Sequence, residues 1–259
     1  MLSYLELLSE LHRVLQPRSY LEVGVRHGKS LELASCPAVG VDPVPELKVE
    51  LGPAARVYPM TSDDFFAAGD GLDHLPGRTI DLAFIDGMHL VEYAYRDVVN
   101  VERHCGPGSV IVMDDMLPRT ELEAARNRQT RAWTGDVWKV TAVLEQRRPD
   151  LVLIPVAVRP TGFLVVLCPD PEAPAEAGVS RSDMRRLRKD AAPPESVLGR
   201  SAAVDPAQLV AAPFWESVRA ARTGAVDADT VRREVVAWRP RPLSLEQVAE
   251  SKGSARRRR

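Results

Sequence analysis

Two hydrophobic periodicities alternate along the chain. Tyr4, Leu8, Leu11 and Leu15 recur three to four residues apart, which predicts an opening amphipathic helix that stops near Pro17. Short apolar runs follow: Tyr20-Leu-Glu-Val-Gly24, Ala38-Val-Gly-Val-Asp42, a weaker Arg56-Val-Tyr-Pro-Met60, Ile80-Asp-Leu-Ala-Phe-Ile-Asp86 and Gly108-Ser-Val-Ile-Val-Met-Asp114. These are short, largely apolar runs of strand length. Helical patterns are predicted between them, from about Gly28 to Ala34, near Asp63 to Ala68, and after Asp86 through Cys105. Another runs through Trp138 and Leu144 to Leu151-Val-Leu-Ile-Pro-Val156 and Gly162-Phe-Leu-Val-Val-Leu167. Strands that alternate with helices imply crossover units, so the fold class is α/β, a doubly wound and mostly parallel sheet with helices on both faces. The last two runs are joined by Arg159-Pro-Thr-Gly162, too short for a helical crossover, and should form an antiparallel hairpin.

The pattern changes after Asp170. Pro171, Pro174, Pro193 and Pro194 interrupt it, and Arg185-Arg-Leu-Arg-Lys189 is a basic patch. Asp205-Pro-Ala-Gln208 and Ser244-Leu-Glu-Gln247 read as helix starts, the first side chain capping a free backbone N–H. Residues 1–170 are therefore expected to form the α/β domain. Residues 171–259 should form a helical extension, partly disordered, docked over the substrate end of the sheet or between protomers, with Arg256 to Arg259 as a basic tail.

Composition narrows the class of partner. A formal net charge of -2 gives no electrostatic reason to expect nucleic acid or an anionic membrane. Cys36, Cys105 and Cys168 are widely spaced and sit beside apolar residues, so they read as buried small hydrophobes rather than as a disulfide or metal framework. The acids among the first leucines argue against a secretory leader, and no apolar run is long enough to span a bilayer, so a cytoplasmic protein is expected.

Candidate chemistry gathers at strand ends, where open α/β sheets bind ligands. Glu22-x-Gly24-x-x-x-Gly28-Lys-Ser30 follows the first strand, and its glycines allow close backbone approach. The spacing differs from the G-x-G-x-x-G of dinucleotide sites. Asp42 ends the second strand, where a carboxylate accepts hydrogen bonds from a ribose diol. Thr61-Ser62-Asp63 follows the third strand and either contacts a nucleobase or caps the next helix. Asp86-Gly-Met-His89 and Asp114-Asp115 end the next two strands. Neighbouring strands lie about 4.8 Å apart, so three carboxylates should converge. Unit charges about 4 Å apart repel by about 4 kcal/mol at an effective dielectric of 20, so the cluster needs protons, backbone donors or a hard cation such as Mg²⁺. Alternatively, Asp114 and Asp115 cap the loop toward Pro118.

Glu22-x-Gly24-x-x-x-Gly28 with Asp42 resembles the first two motifs of class I S-adenosylmethionine-dependent methyltransferases. The resemblance implies that Gly24 and Gly28 line the methionine part of the cofactor, that Ser30 binds its carboxylate, that Asp42 holds its ribose, and that Ser62 and Asp63 lie near its adenine. Asp86 with Asp114 and Asp115 resembles the metal set of the catechol and macrolide-sugar O-methyltransferases, and His89 falls where their general base stands. Met88 departs from the Asp-Gly-Asp-His form of the sugar-type enzymes. The resemblance spans roughly Ser19 to Leu167 and implies Mg²⁺-assisted O-methylation of a small-molecule or sugar hydroxyl; a homo-oligomer is a separate expectation. His27 is a second candidate base, and Trp133 and Trp138 either wall an acceptor pocket or pack in the core. His12, His74 and His104 read as surface or helix-face residues. The rival readings are a metal-dependent hydroxylase or nicotinamide enzyme on the same scaffold, and a non-catalytic cofactor-binding subunit.

Overall fold

A computed structural model describes residues 1–173, 181–238 and 240–253, so the predicted tail Arg256 to Arg259 lies outside the described residues. Helix α1 (Tyr4–Leu15) starts on a Ser3 capping box and buries Leu7, Leu8, Leu11 and Leu15. The strands are β1 (Tyr20–Val23), β2 (Ala38–Val41), β3 (Ala55–Tyr58), β4 (Ile80–Ile85), β5 (Cys105–Met113), β6 (Val152–Val156) and β7 (Phe163–Leu167). Between them lie α2 (Ser62–Ala68), α3 (Val91–Glu102) and α4 (Val140–Arg147), and after them α5 (Arg181–Leu187), α6 (Glu195–Leu198), α7 (Pro206–Val210), α8 (Trp215–Ala221), α9 (Ala228–Ala237) and α10 (Leu245–Ser251).

The sheet runs β3-β2-β1-β4-β5-β7-β6. Strand order reverses beside β1, which pairs in parallel with both β2 and β4, so the ends of β1 and β4 flank the switch point. Strand β7 pairs antiparallel with β5 and with β6, as the short connection requires.

Two predicted boundaries are corrected. The helix expected from Gly28 to Ala34 is only a single tight turn, Leu31–Leu33, because β2 begins at Ala38 and leaves no room for a longer crossover. The helix expected to reach Cys105 ends at Glu102, and Cys105 already belongs to β5.

The missing helix explains the extension. One face of the sheet is covered by α2, α3 and α4 through Phe65, Val91, Val98, Val140 and Leu144. The other face is covered by α1 together with α7, α8 and α9, through Leu209, Phe214, Trp215, Val218, Val231 and Val235. The segment after Asp170 thus supplies one of the two helical layers. Its link to the substrate end is narrower: fully buried Arg200 donates to the carbonyls of Leu117 at 2.8 Å and Pro160 at 2.6 Å. Among the described residues no helix is long and apolar enough to cross a membrane.

Candidate active site

The parallel strands deliver their carboxyl ends to one edge, and the turns there are strained. Gly24 (φ +92) must be glycine because a Cβ would lie 2.0 Å from the Asp86 carbonyl oxygen, so the first glycine lets the β1 and β4 turns approach each other. A Cβ on Gly28 (φ +79) would press on Leu47 and Val49 at 3.0 Å, since the segment after β2 folds back over the glycine loop. That segment is tied down by Glu46 N–H donating to the Arg26 carbonyl at 2.8 Å and Lys48 N–H donating to that of His27 at 3.1 Å. Three non-glycine residues at this edge also hold a left-handed backbone: Arg26 (φ 46), His89 (φ 55) and Asp115 (φ 63). Such conformations cost on the order of 1–3 kcal/mol each and cluster at working sites.

The acids after β4 and β5 meet, as their spacing predicts. His89 Nδ1 lies 2.6 Å from a carboxylate oxygen of Asp115, and His89 Nε2 lies 3.9 Å from one of Asp86. Ligand atoms of Asp86, His89 and Asp115 all fall within 4.8 Å of one another. Asp114 is turned differently: it is buried, one oxygen accepts the N–H of Asp115 at 2.6 Å, and the Thr161 hydroxyl bonds it from the hairpin. Burial, then the Asp114 and Asp115 charges, pushes Asp86 well above the usual carboxylate range. Burial and the Asp115 charge do the same to Asp114. The site is therefore rich in acid and poor in cations.

The residues around the glycine loop divide into a buried and an exposed set. Glu22 is fully buried and accepts the hydroxyls of Tyr20 at 2.8 Å and Ser30 at 2.7 Å. Burial pushes Glu22 up to about 8, so it holds a proton at neutral pH. The Ser30 hydroxyl is thus engaged inward, with Glu22. Asp42 accepts the N–H groups of Arg26 at 2.7 Å and Val44 at 2.8 Å, one on each oxygen, and each oxygen keeps a second lone pair. Ser62 bonds the buried Asp97, and Asp63 pairs with Arg96 at 2.7 Å, so both join α2 to α3. The helix cap there is Thr61.

Two other histidines are held by aromatic rings. His12 is buried edge-on against the Tyr20 ring, with both ring nitrogens unpartnered, and burial lowers it to about 4. His104 is stacked on Phe66 at 6.0 Å. The cysteines are buried, as expected.

Residues 21–116 match the profile of a methyltransferase domain. Over those residues the chain is similar to a methyltransferase domain. No curated protein matches the chain. Among solved structures, the fold resembles the S-adenosylhomocysteine-bound methyltransferase PaMTH1 of Podospora anserina, at 16% identity over 64% of this chain and 78% of that one, with a TM-score of 0.51. Also similar are the O-methyltransferase TomG of Streptomyces achromogenes in complex with SAM (18% identity, 63% and 78% of the chains, TM-score 0.46) and the MycE methyltransferase of the mycinamycin pathway with Mg and SAH (14%, 63% and 48%, TM-score 0.43). At these identities the likeness concerns the fold.

The methyltransferase domain profile ends at Met116, yet residues outside it reach the site. Tyr4, at the start of α1, is half-buried; burial first, then the charges of Asp114 and Asp86, raises its phenol. Its N–H donates to the Arg159 carbonyl at 3.0 Å, on the same hairpin turn that brings Thr161 to Asp114. The helical spacing of Tyr4 with Leu8 and Leu11 made it look like a core residue and carried no other signal. Trp133 lies beside His89, with ring centroids 5.6 Å apart, and its indole N–H donates to the Ala125 carbonyl at 2.7 Å.

Proposed function

We propose that this methyltransferase domain transfers a methyl group from S-adenosylmethionine to a hydroxyl of a small molecule, with His89 as general base. The observation that carries the reading is the His89–Asp115 pair at the end of β5, beside an acid cluster with no cation paired to it among the described residues. The remaining residues fit the cofactor. Asp42 retains lone pairs for a ribose diol, and the unmatched acids suit a ligand with a positive sulfonium and ammonium. When bound, the cofactor supplies an electrophilic methyl group.

His89 takes its role from its two nitrogens. Nδ1 at 2.6 Å from Asp115 is fixed as the donor, and the carboxylate supports the charge that the ring acquires. Nε2 is then left as the acceptor, on the side of Asp86, for the proton of an acceptor hydroxyl. Asp115 holds the ring in that tautomer, and its own left-handed backbone sets the direction of its carboxylate. Trp133 lies beside the imidazole, and the turn at Gly135, where a Cβ would lie 2.0 Å from the His89 carbonyl oxygen, packs against the His89 backbone.

A divalent cation is a second element of the reading, supported by the convergence of Asp86, His89 and Asp115. Asp86 and Asp115 would hold it, with Asp114 beside them, and it would lower the pKa of a chelating hydroxyl. A cytoplasmic setting and a sugar or phenolic acceptor belong to the same proposal. The test is methyl transfer from labelled S-adenosylmethionine into a metabolite extract, alongside calorimetry with S-adenosylhomocysteine. Label in a base-stable ether of a small molecule is expected. Tight binding of NAD with no binding of S-adenosylhomocysteine would overturn the reading.

A further inference from the structure

The glycine loop presents one cation toward the acid edge. Arg26 is exposed, and its backbone is fixed on both sides: its N–H donates to Asp42 at 2.7 Å and its carbonyl accepts from Glu46 at 2.8 Å. Its φ of 46 is a left-handed conformation that a side chain other than glycine adopts at a cost. Among the described residues its guanidinium forms no hydrogen bond or ion pair, whereas Arg18, Arg119, Arg126 and Arg148 are each held by a carboxylate. The Arg26 charge nevertheless reaches inward, since it acts on both Asp86 and the Tyr4 phenol. An unpartnered guanidinium on a strained, anchored turn is a preorganised anion receptor. The Ser30 side chain, by contrast, is buried and its hydroxyl is hydrogen-bonded inward to Glu22 at 2.7 Å.

We infer that Arg26, rather than Ser30, binds the carboxylate of the cofactor's amino-acid end, while the unmatched acids face its ammonium. This rests on the S-adenosylmethionine reading. The carboxylate would then be read by Arg26, in the turn after β1 at the switch point. Lys29 and Lys48, whose charges act on neighbouring His27, extend the positive rim but lie on the solvent side of the loop.

The experiment is a ligand-by-variant cycle read by calorimetry. S-adenosylhomocysteine and its decarboxylated analogue, which lacks only the carboxylate, are titrated into the wild type, Arg26→Gln and Arg26→Lys. Charge-assisted hydrogen bonds contribute enough that the wild type should lose about 10- to 100-fold in affinity on removal of the carboxylate. Arg26→Gln should bind both ligands equally weakly, and Arg26→Lys should recover part of the difference. Thermal unfolding should be unchanged, since Gln occupies the same backbone conformation and the native guanidinium has no partner to lose. If Arg26→Gln discriminates between the two ligands as strongly as the wild type, the carboxylate is held elsewhere and the assignment is overturned. If the wild type binds neither ligand, the cofactor reading fails and takes the assignment with it.

Discussion

Two acidic clusters flank the start of α3, and they are treated in opposite ways. On one side, Glu92 and Asp136 are buried among cations. Arg126 donates to Glu92 at 2.9 Å and to Asp136 at 3.2 Å, Lys139 reaches Asp136 at 3.0 Å, and Arg188 from the segment after α5 reaches Glu92 at 2.9 Å. Asp136 also accepts the N–H of Val91 at 3.0 Å and so caps α3. Burial alone would raise Glu92, but the Arg126 and Arg188 charges outweigh it and hold the group below its usual range. On the other side, Asp86 is raised by burial and by the Asp114 and Asp115 charges, Asp114 by burial and by Asp115, and Asp115 pairs with His89. A protein able to assemble three cations around two acids has left the neighbouring three acids nearly without any. The matched cluster is architecture. The unmatched one is a receptor for something positive and a source of basicity, which is how functional acids are recognised.

The largest expected effect comes from removing the one nitrogen base in the unmatched cluster. His89→Gln keeps a hydrogen-bonding side chain beside Asp115 but cannot take a proton. Turnover of the acceptor found by labelled transfer should fall about 10²- to 10⁴-fold, with the affinity for S-adenosylhomocysteine unchanged. A variant that turns over normally but binds cofactor poorly would reassign His89 to cofactor packing.

The matched cluster should respond in stability instead. Arg126→Ala leaves Glu92 and Asp136 with Arg188 and Lys139 but without the cation they share. Breaking a buried pair costs roughly 3–5 kcal/mol when no partner remains, so about 2–4 kcal/mol is expected in urea denaturation. Per folded molecule, cofactor affinity should stay as in the wild type. If Arg126→Ala proved neutral in stability, the contrast between the clusters would lose its structural half.

The unmatched half of this contrast was legible in the sequence, and the reason lies in sequence distance. Asp86, His89, Asp114 and Asp115 sit at the ends of adjacent strands, and a parallel sheet carries such residues to one edge whatever else the chain does. The cations that neutralise Glu92 come from a loop and from the segment after α5, Arg126 at 34 and Arg188 at 96 residues' distance, where no local pattern marks them; only Lys139, three residues from Asp136, is a local partner. The same limit explains the helix wrongly expected at Gly28. Its residues have helical character, but only the strand register at Ala38 shows that the crossover has no room for it. The use of Ser30 was hidden as well, since its hydroxyl turns to Glu22 eight residues back rather than outward. The place of Tyr4 was hidden too, since the first turn of α1 is tied to the carbonyl of Arg159, 155 residues away in sequence.

A third measurement asks directly whether the unmatched cluster takes a cation. Mg²⁺ or Mn²⁺ should raise the unfolding temperature of the wild type and a chelator should reverse it. At 100 times the dissociation constant the stabilisation is about 2.7 kcal/mol. Asp86→Asn or Asp115→Asn should remove the response, and Glu92→Gln should keep it despite its own loss of stability. A metal response that survives in Asp86→Asn would move the cation site elsewhere.

The smallest effect tests a third way of treating an acid, seen at Glu22, which has neither a cation nor exposure and keeps its proton. Burial raises it from 4.5 to about 8, so between these values the folded state holds a proton that the unfolded state has released. Stability must then fall as pH rises across that window, and the loss is complete above the folded value. Between pH 6 and 7 this amounts to about 1 kcal/mol for a single group. Glu22→Gln resembles the protonated form, since its amide can donate to one of the Tyr20 and Ser30 hydroxyls and accept from the other. The variant should therefore be close to the wild type at pH 5 and progressively more stable than it toward pH 8, as read from urea denaturation at several pH values. Parallel curves for the two proteins across that window would mean that Glu22 is already ionised in the folded state, and that the glycine loop rests on a buried charge rather than a neutral hydrogen-bonded carboxyl.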